Sequence, residues 1–334
     1  MKTAITIFLV TLGLVSAFLA SRVWIFLYCP PQSPGHEVTI VIPPGTHFEA
    51  IIHQLEEEGV VADGRAFRLL GTISGKVRKI RAGEFRLSTA MAPLAVLQEL
   101  TRGRSILHRL QVREGLPWWE VGHIVEEAGM GSFASFEAAV HNPEILQKYG
   151  IPGPSGEGYL FPETYFLPRS PNNNATCVVE SMLRMFRKKA KEVWPEGLPP
   201  AKMLHNKVIL ASLVEKETAV PEERARIAGV YTNRLQKGIR LQCDPTIIYG
   251  LGLQFDGNLT KKHLRDKSNK YNTYTHAGLP PGPICSPGKE ALAAAKTPEK
   301  NKFIYFVAKK DGTHYFSHTL EEHNRAVRKY QLRH

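Results

Sequence analysis

Four cysteines in 334 residues, at positions 29, 177, 243 and 285, are too few and too scattered to form a disulfide scaffold. There is no C-x-x-C pair and no H-E-x-x-H helix. The 13 histidines are spread along the chain, so no metal is expected and each histidine is assigned to surface or packing. No glycine-rich phosphate loop is present, which argues against a nucleotide, and no other cofactor is expected. Acidic residues are the minority, 31 against 43 basic ones, for a net charge of +12. That balance suits anionic partners, and it also serves solubility. A content of 43% hydrophobic and 22% charged residues excludes a disordered chain. The length suffices for one substantial domain plus smaller modules.

Long apolar runs are scarce too, and they are confined to the N-terminus. Ala4 to Ala20 carries no charge, and Ser21-Arg22 interrupts the run before Val23-Trp24-Ile25-Phe26-Leu27-Tyr28. The first run is about the minimum for a bilayer-spanning helix. The second extends it, with Trp24 and Tyr28 near the outer interface. A cleaved signal peptide ending at Ala20 wants a small residue where Phe18 stands. Lipoprotein processing at Cys29 wants one where Tyr28 stands, so an uncleaved single-pass anchor is expected. Lys2 and the lack of a second span place the N-terminus in the cytoplasm and the bulk outside the membrane, with Arg22 a mild counterweight. An exported chain meets little nucleic acid, so none is expected as a partner. Wall-peptide carboxylates, anionic lipid or teichoic polymers fit the charge instead.

The expected organisation is an anchor at 1–29, a stiff Pro/Gly linker at 30–37, a first small module at 38–105, a second with a connector at 106–170, and a main domain at 171–334. An internal repeat at an offset of 70 residues underlies the two modules. Thr39-Ile40-Val41-Ile42-Pro43-Pro44-Gly45 aligns with Arg109-Leu110-Gln111-Val112-Arg113-Glu114-Gly115, and the match continues through Ile51/Val121, Leu55/Val125 and Gly59/Gly129. Each copy reads strand, glycine turn, then an amphipathic helix closed by glycine. The first copy continues through a helix near Ala66–Ser74 and a strand over Arg81–Leu87, in β-α-α-β order. Trp118-Trp119 beside Pro117 reads as a packing wedge. In the main domain the patterning predicts a basic amphipathic helix over Met182–Val193, helices over Lys207–Val220 and Glu222–Gln236, and a short one over Lys289–Lys296. A hairpin turned at Asp311-Gly312 and a last helix opened by a Thr319/Glu322 capping box follow. The fold class is α+β.

One carboxylate stands out. Leu210, Leu213 and Val214 follow the spacing of a buried helical face, and Glu217 is the next member. Glu215 is rotated away by about 200° and should face solvent. Pro221 disfavours helix at Val220, which leaves Glu217 in the last turn, near the negative end of the helix dipole. Apolar burial and that dipole both raise a carboxyl pKa, the condition a general acid needs near neutrality.

Several segments carry a resemblance. They are Ala211-Ser212-Leu213-Val214-Glu215-Lys216-Glu217-Thr218-Ala219-Val220, Asn233-Arg234-Leu235, and Leu241-Gln242-Cys243-Asp244-Pro245-Thr246-Ile247-Ile248-Tyr249-Gly250. Further on come Tyr271-Asn272-Thr273-Tyr274, Gly278-Leu279-Pro280-Pro281-Gly282-Pro283-Ile284 and Pro287-Gly288, with Gly158-Tyr159-Leu160-Phe161-Pro162-Glu163-Thr164 earlier in the chain. In order and spacing these resemble the YceG-like endolytic peptidoglycan transglycosylases, from about Val38 to the end. The resemblance implies a LysM-like carbohydrate-binding module for the first repeat and a mainly helical catalytic domain with a β-hairpin. It also implies cleavage within nascent glycan strands at the bacterial inner membrane, beside peptidoglycan synthases, and it puts the catalytic glutamate at Glu217. One departure is Cys243, where relatives often carry Thr or another small residue.

Breaking a β-1,4 glycosidic bond requires protonation of the leaving oxygen and stabilisation of an oxocarbenium-like centre, for which ordinary glycosidases use two carboxylates. A lytic transglycosylase manages with one, because the tethered C6 hydroxyl of the muramic acid is the nucleophile. Glu217 is the candidate for both proton transfers. Gln242, Asp244, Asn272 and Tyr274 are the candidates for binding sugar. Glu163 is a rival second carboxylate, read as structural or groove-lining. Asn233 is read as an interior helical residue bonded to backbone. A Cys243–Cys285 bridge stays open, since both border the expected cleft. The alternatives are a lysozyme-type hydrolase and a non-catalytic wall-binding scaffold.

Overall fold

The computed structural model describes residues 2–43, 45–103, 105–169 and 172–332. Pro44 of the first repeat turn and the boundary expected at 170/171 lie outside the described residues. The chain divides into two compact units, Met1–Arg109 with Phe166–Asn173, and Leu110–Tyr165 with Asn174–His334.

In the first unit, α1 (Lys2–Tyr28) is one continuous helix, so the Ser21-Arg22 pair does not interrupt it. Ser21 returns its hydroxyl to the Phe18 carbonyl at 2.7 Å, which satisfies that hydroxyl within the helix. Its Leu9–Tyr28 stretch is long and apolar enough to cross a membrane, and its side chains from Leu9 to Ile25 are exposed. Then follow β1 (Glu37–Ile42), α2 (Phe48–Glu57), α3 (Gly64–Ile73), β2 (Gly83–Ser88) and α4 (Pro93–Arg102). β1 and β2 pair antiparallel with Ile40 opposite Phe85 and Val38 opposite Leu87. That register puts Ile40, Ile42, Phe85 and Leu87 on the buried face, against Ile51, Leu55 and Phe67 of the helices and Leu97 and Leu100 of α4. Asp63 caps α3 by accepting from the Ala66 N–H at 3.0 Å.

The repeat is visible in the backbone. β3 (His108–Gln111) and α5 (Trp118–Glu127) stand where β1 and α2 stand in the first copy. The turn glycines Gly45 and Gly115 have φ of 81° and 77°, and the helix-closing Gly59 and Gly129 have 68° and 66°. All four need the left-handed region that glycine enters without a steric penalty. The copies then diverge, since the second continues into α6 (Phe133–Val140), α7 (Pro143–Tyr149) and β4 (Thr164–Leu167). β3 and β4 pair with each other, and the division between units falls inside both.

The second unit is mainly helical: α8 (Thr176–Val193), α9 (Ala201–Glu217), α10 (Pro221–Gln236), α11 (Asp244–Leu251), α12 (Lys261–Arg265) and α13 (Lys289–Lys296). The hairpin of β5 (Tyr305–Ala308) and β6 (His314–Ser317) and then α14 (Leu320–Tyr330) close it. α8 buries Met182, Leu183 and Phe186 and turns Arg184, Arg187 and Lys188 to solvent, as an amphipathic helix should. α9 is different, because all seven residues from Val208 to Val214 are buried. α13 packs on both α9 and α10, and its Ala291, Ala294 and Ala295 allow that close approach. α9 is therefore the axis of the unit, and its C-terminal end emerges at the site.

Candidate active site

α9 ends at Glu217. Thr218 leaves the helix in an extended conformation, and Pro221 opens α10 with the fixed φ that a first helical position accepts. This tight reversal brings α10 back beside the end of α9. Tyr231 of α10, itself fully buried, donates its hydroxyl to Glu217 Oε1 at 2.6 Å. The Cys243 thiol donates to the same oxygen at 3.1 Å. Burial holds the Glu217 carboxyl above its ordinary pKa. The Tyr231 and Cys243 hydrogen bonds and the charge of His314 pull it down, and Asp244 pushes it up.

Glu215 departs from expectation. It is only partly exposed, because α9 is enclosed over Val208–Val214 and a rotation of about 200° from Glu217 brings Glu215 against the start of α13. Its carboxylate accepts from the Gly288 N–H at 2.9 Å, at the cap of α13, where a helix N-terminus favours negative charge.

Glu217 lies in an open groove of about 500 Å³. Gln242, Asp244 and Tyr274 line it, so four of the five site residues read from the sequence come together. Asp244 is the first residue of α11 and accepts from the Tyr274 hydroxyl at 2.6 Å. Gln242 is exposed in a left-handed conformation, φ 51°, shared among the described non-glycine residues only with Asn173 at φ 52°. Asn272 does not reach the groove. It is fully buried, its amide donates to the carbonyls of His263, Leu264 and Asp266, and its Oδ1 accepts from the Tyr274 N–H. Its work is to close α12 and place Tyr274. Glu163 accepts from its own Thr164 N–H and sits 3.9 Å from Lys189, in a loop that does not line the groove. Asn233 does bond backbone, the carbonyls of Asn301 and Phe303, which ties α10 to the start of the hairpin.

Other groups at the site were not singled out as site residues from the sequence. Arg234, next to Asn233 on α10, is buried, donates to the carbonyls of Ile304 at 2.6 Å and Leu241 at 2.8 Å, and lies over the Tyr305 ring. His314 and His318 are four residues apart on the hairpin arm, a spacing that resembles a metal pair. His314 instead bonds Glu223, and His318 bonds the Lys302 carbonyl. No group of three His, Cys, Asp or Glu among the described residues is arranged to hold a metal ion. Cys243 and Cys285 are free thiols with separate acceptors, Glu217 and the Ser212 carbonyl, so the bridge left open by the sequence is not formed.

Glu157, one residue before the Gly158-Tyr159-Leu160-Phe161 run, was also missed. It is 2% exposed and accepts from the N–H groups of Trp118 and Gly158. Gly158 has φ 80°, and a Cβ there would meet Pro283 Cβ at 2.5 Å, so glycine is required twice over. Burial raises the Glu157 pKa from 4.5 to about 7, against the opposing effect of those hydrogen bonds and of Tyr249. The folded chain thus holds a proton that the unfolded chain has released between pH 4.5 and about 7. Stability falls as pH rises through that window and stays reduced above it, by about 3 kcal/mol. Glu157→Gln keeps an acceptor for Trp118 and removes the charge. The variant is expected to melt at a higher temperature than the parent at pH 8 and at a similar one at pH 5. Equal differences at both pH values would contradict this.

A helical α+β unit with one sequestered carboxyl in an open polar groove defines an acid-bearing site for an extended ligand. The chain belongs to the YceG-like family, which matches residues 40–329. It is 30% identical over 308 residues to the endolytic murein transglycosylase of Bacillus subtilis, covering 88% of this chain and 84% of that one. It is 28% identical over 321 residues to the endolytic murein transglycosylase of Streptococcus pneumoniae, of which it spans 58%. Its fold is similar to the crystal structure of a YceG-like protein from Listeria monocytogenes. That likeness has a TM-score of 0.57 and 29% identity, and covers 87% of this chain and 99% of that one.

Proposed function

We propose that this chain is an endolytic murein transglycosylase that cleaves the MurNAc–GlcNAc β-1,4 bond within nascent peptidoglycan strands and leaves 1,6-anhydro-MurNAc ends. The observation that carries the reading is the placement of Glu217. It is a carboxyl whose pKa burial raises, with two donors on Oε1, in a groove open enough for a polymer to lie across it. Glu217 protonates the leaving glycosidic oxygen as the C1–O bond breaks. The muramic acid C6 hydroxyl attacks C1 from within the same sugar, with the high effective concentration of a tethered group, and no water is consumed. A single carboxyl suffices if it takes back the hydroxyl proton. Gln242 offers an amide to sugar hydroxyls, and the Asp244–Tyr274 pair presents a fixed polar edge on the same wall.

The remaining parts fit around that reaction. α1 is the single-pass anchor, with its N-terminus in the cytoplasm and the second unit on the outer face of the inner membrane. The β-α-α-β order of the first unit suits a LysM-like grip on glycan, so that residues 38–105 hold the strand and 171–334 cut it. A cut beside the membrane would end strand elongation close to the synthases.

The test is digestion of defined glycan strands by the full-length protein, with both new ends identified by mass spectrometry. Anhydro ends, lighter by one water than hydrolysis products, support the reading. Hydrolytic ends, or binding without cleavage, would overturn it.

A further inference from the structure

Closing the anhydro bridge releases the proton of the C6 hydroxyl. Resting on the transglycosylase reading, we propose that His314 is a second catalytic residue, the base whose Nε2 accepts that proton, so that Glu217 acts only as the acid.

His314 opens β6 and lines the same groove as Glu217. Its position is fixed at three points. Its backbone N–H donates to Glu223 Oε1 at 2.8 Å, its Nδ1 bonds Glu223 Oε2 at 2.7 Å, and its ring packs edge-on against Phe306. Glu223 stands in the first turn of α10, is almost wholly buried, and also accepts from the Thr218 hydroxyl at 3.5 Å. In the neutral ring an acceptor-only carboxylate against Nδ1 selects the tautomer with its proton on Nδ1 and its lone pair on Nε2. Among the described residues Nε2 has no hydrogen-bond partner, and it is not one of the buried polar atoms left unsatisfied, so it keeps access to the groove. An imidazole oriented by a buried carboxylate, with its free nitrogen in a cleft, has the arrangement of a general base. The charge that forms on it is stabilised by Glu223 and is close enough to act on Glu217.

The step balances. The Glu217 proton passes to the glycosidic oxygen as the C1–O bond breaks. The C6 oxygen bonds to C1, and its proton moves to Nε2. The groove then holds a Glu217 carboxylate and a His314 imidazolium, of opposite charge. After product leaves, the imidazolium returns its proton through water to Glu217, and nothing is gained or lost over the cycle.

His314→Asn separates this from a structural role. The Asn amide can still donate to Glu223 from the place of Nδ1, and it lacks Nε2. With the full-length protein on glycan strands, kcat is expected to fall by about 100-fold or more, with KM within about twofold and the products still anhydro. His314→Gly should regain activity on addition of imidazole, in proportion to the unprotonated fraction of the added imidazole. A His314→Asn enzyme within about threefold of the parent would overturn the proposal, and so would a His314→Gly enzyme that imidazole does not revive. Glu217→Gln run alongside separates the two readings. If it is inactive while His314→Asn is active, only the base assignment fails. If the parent yields no anhydro ends, both fail.

Discussion

Glu217→Gln is expected to lower the rate of anhydro-product release by about 10²–10⁴-fold, the usual contribution of a positioned general acid, without unfolding the protein. Glutamine has the shape of glutamate and keeps an Oε1 that accepts from Tyr231 and Cys243, so both hydrogen bonds persist. It lacks the charge that burial disfavours, so the variant should be at least as stable as the parent at alkaline pH. Lost activity with no fall in melting temperature separates chemistry from folding. Activity above about one tenth of the parent would remove Glu217 from the reaction.

Arg234→Ala is expected to have the opposite profile, a large loss of stability with activity lost as a consequence. Arg234 is 8% exposed, with Nε on the Ile304 carbonyl and Nη1 on the carbonyls of Leu241 and Arg240. It therefore fastens the hairpin and the Leu241–Asp244 wall to α10. Alanine leaves buried carbonyls without donors and removes charge-assisted bonds, a cost of about 3–5 kcal/mol. For a unit of this size that is a drop of about 10 °C or more in melting temperature. Arg234→Lys should recover little of it, because an ammonium on a flexible stem does not reproduce the planar fork that reaches both carbonyls and lies over Tyr305. A shift under about 2 °C for the alanine variant would show that the hairpin is held by other contacts.

What the sequence disclosed follows from the range of the interactions concerned. Helical periodicity and Pro221 placed Glu217 at the end of its helix, since both act within a few residues. The same periodicity misread Glu215, because one face can be assigned to solvent only if the helix has such a face, and α9 has none over Val208–Val214. Asn272 looked like a sugar ligand because its neighbours are polar. The three carbonyls that occupy it come from α12 and the turn after it, a short element with no apolar pattern to reveal it. Arg234, Glu223 and His314 act across 70 to 91 residues of sequence, and one chain read alone carries no sign of such pairings. The repeat was legible because its glycines mark left-handed positions wherever they fall.

The most direct test of the account is the titration of Glu217 itself, followed as the difference between the carboxyl infrared bands of the parent and of Glu217→Gln. The midpoint should lie above the ordinary 4.5 of a glutamate, because burial outweighs the Tyr231 and Cys243 hydrogen bonds. It should rise further in Tyr231→Phe, where one donor to the charged form is gone. A midpoint at or below 4.5 in the parent, unmoved by the loss of the tyrosine hydroxyl, would contradict it.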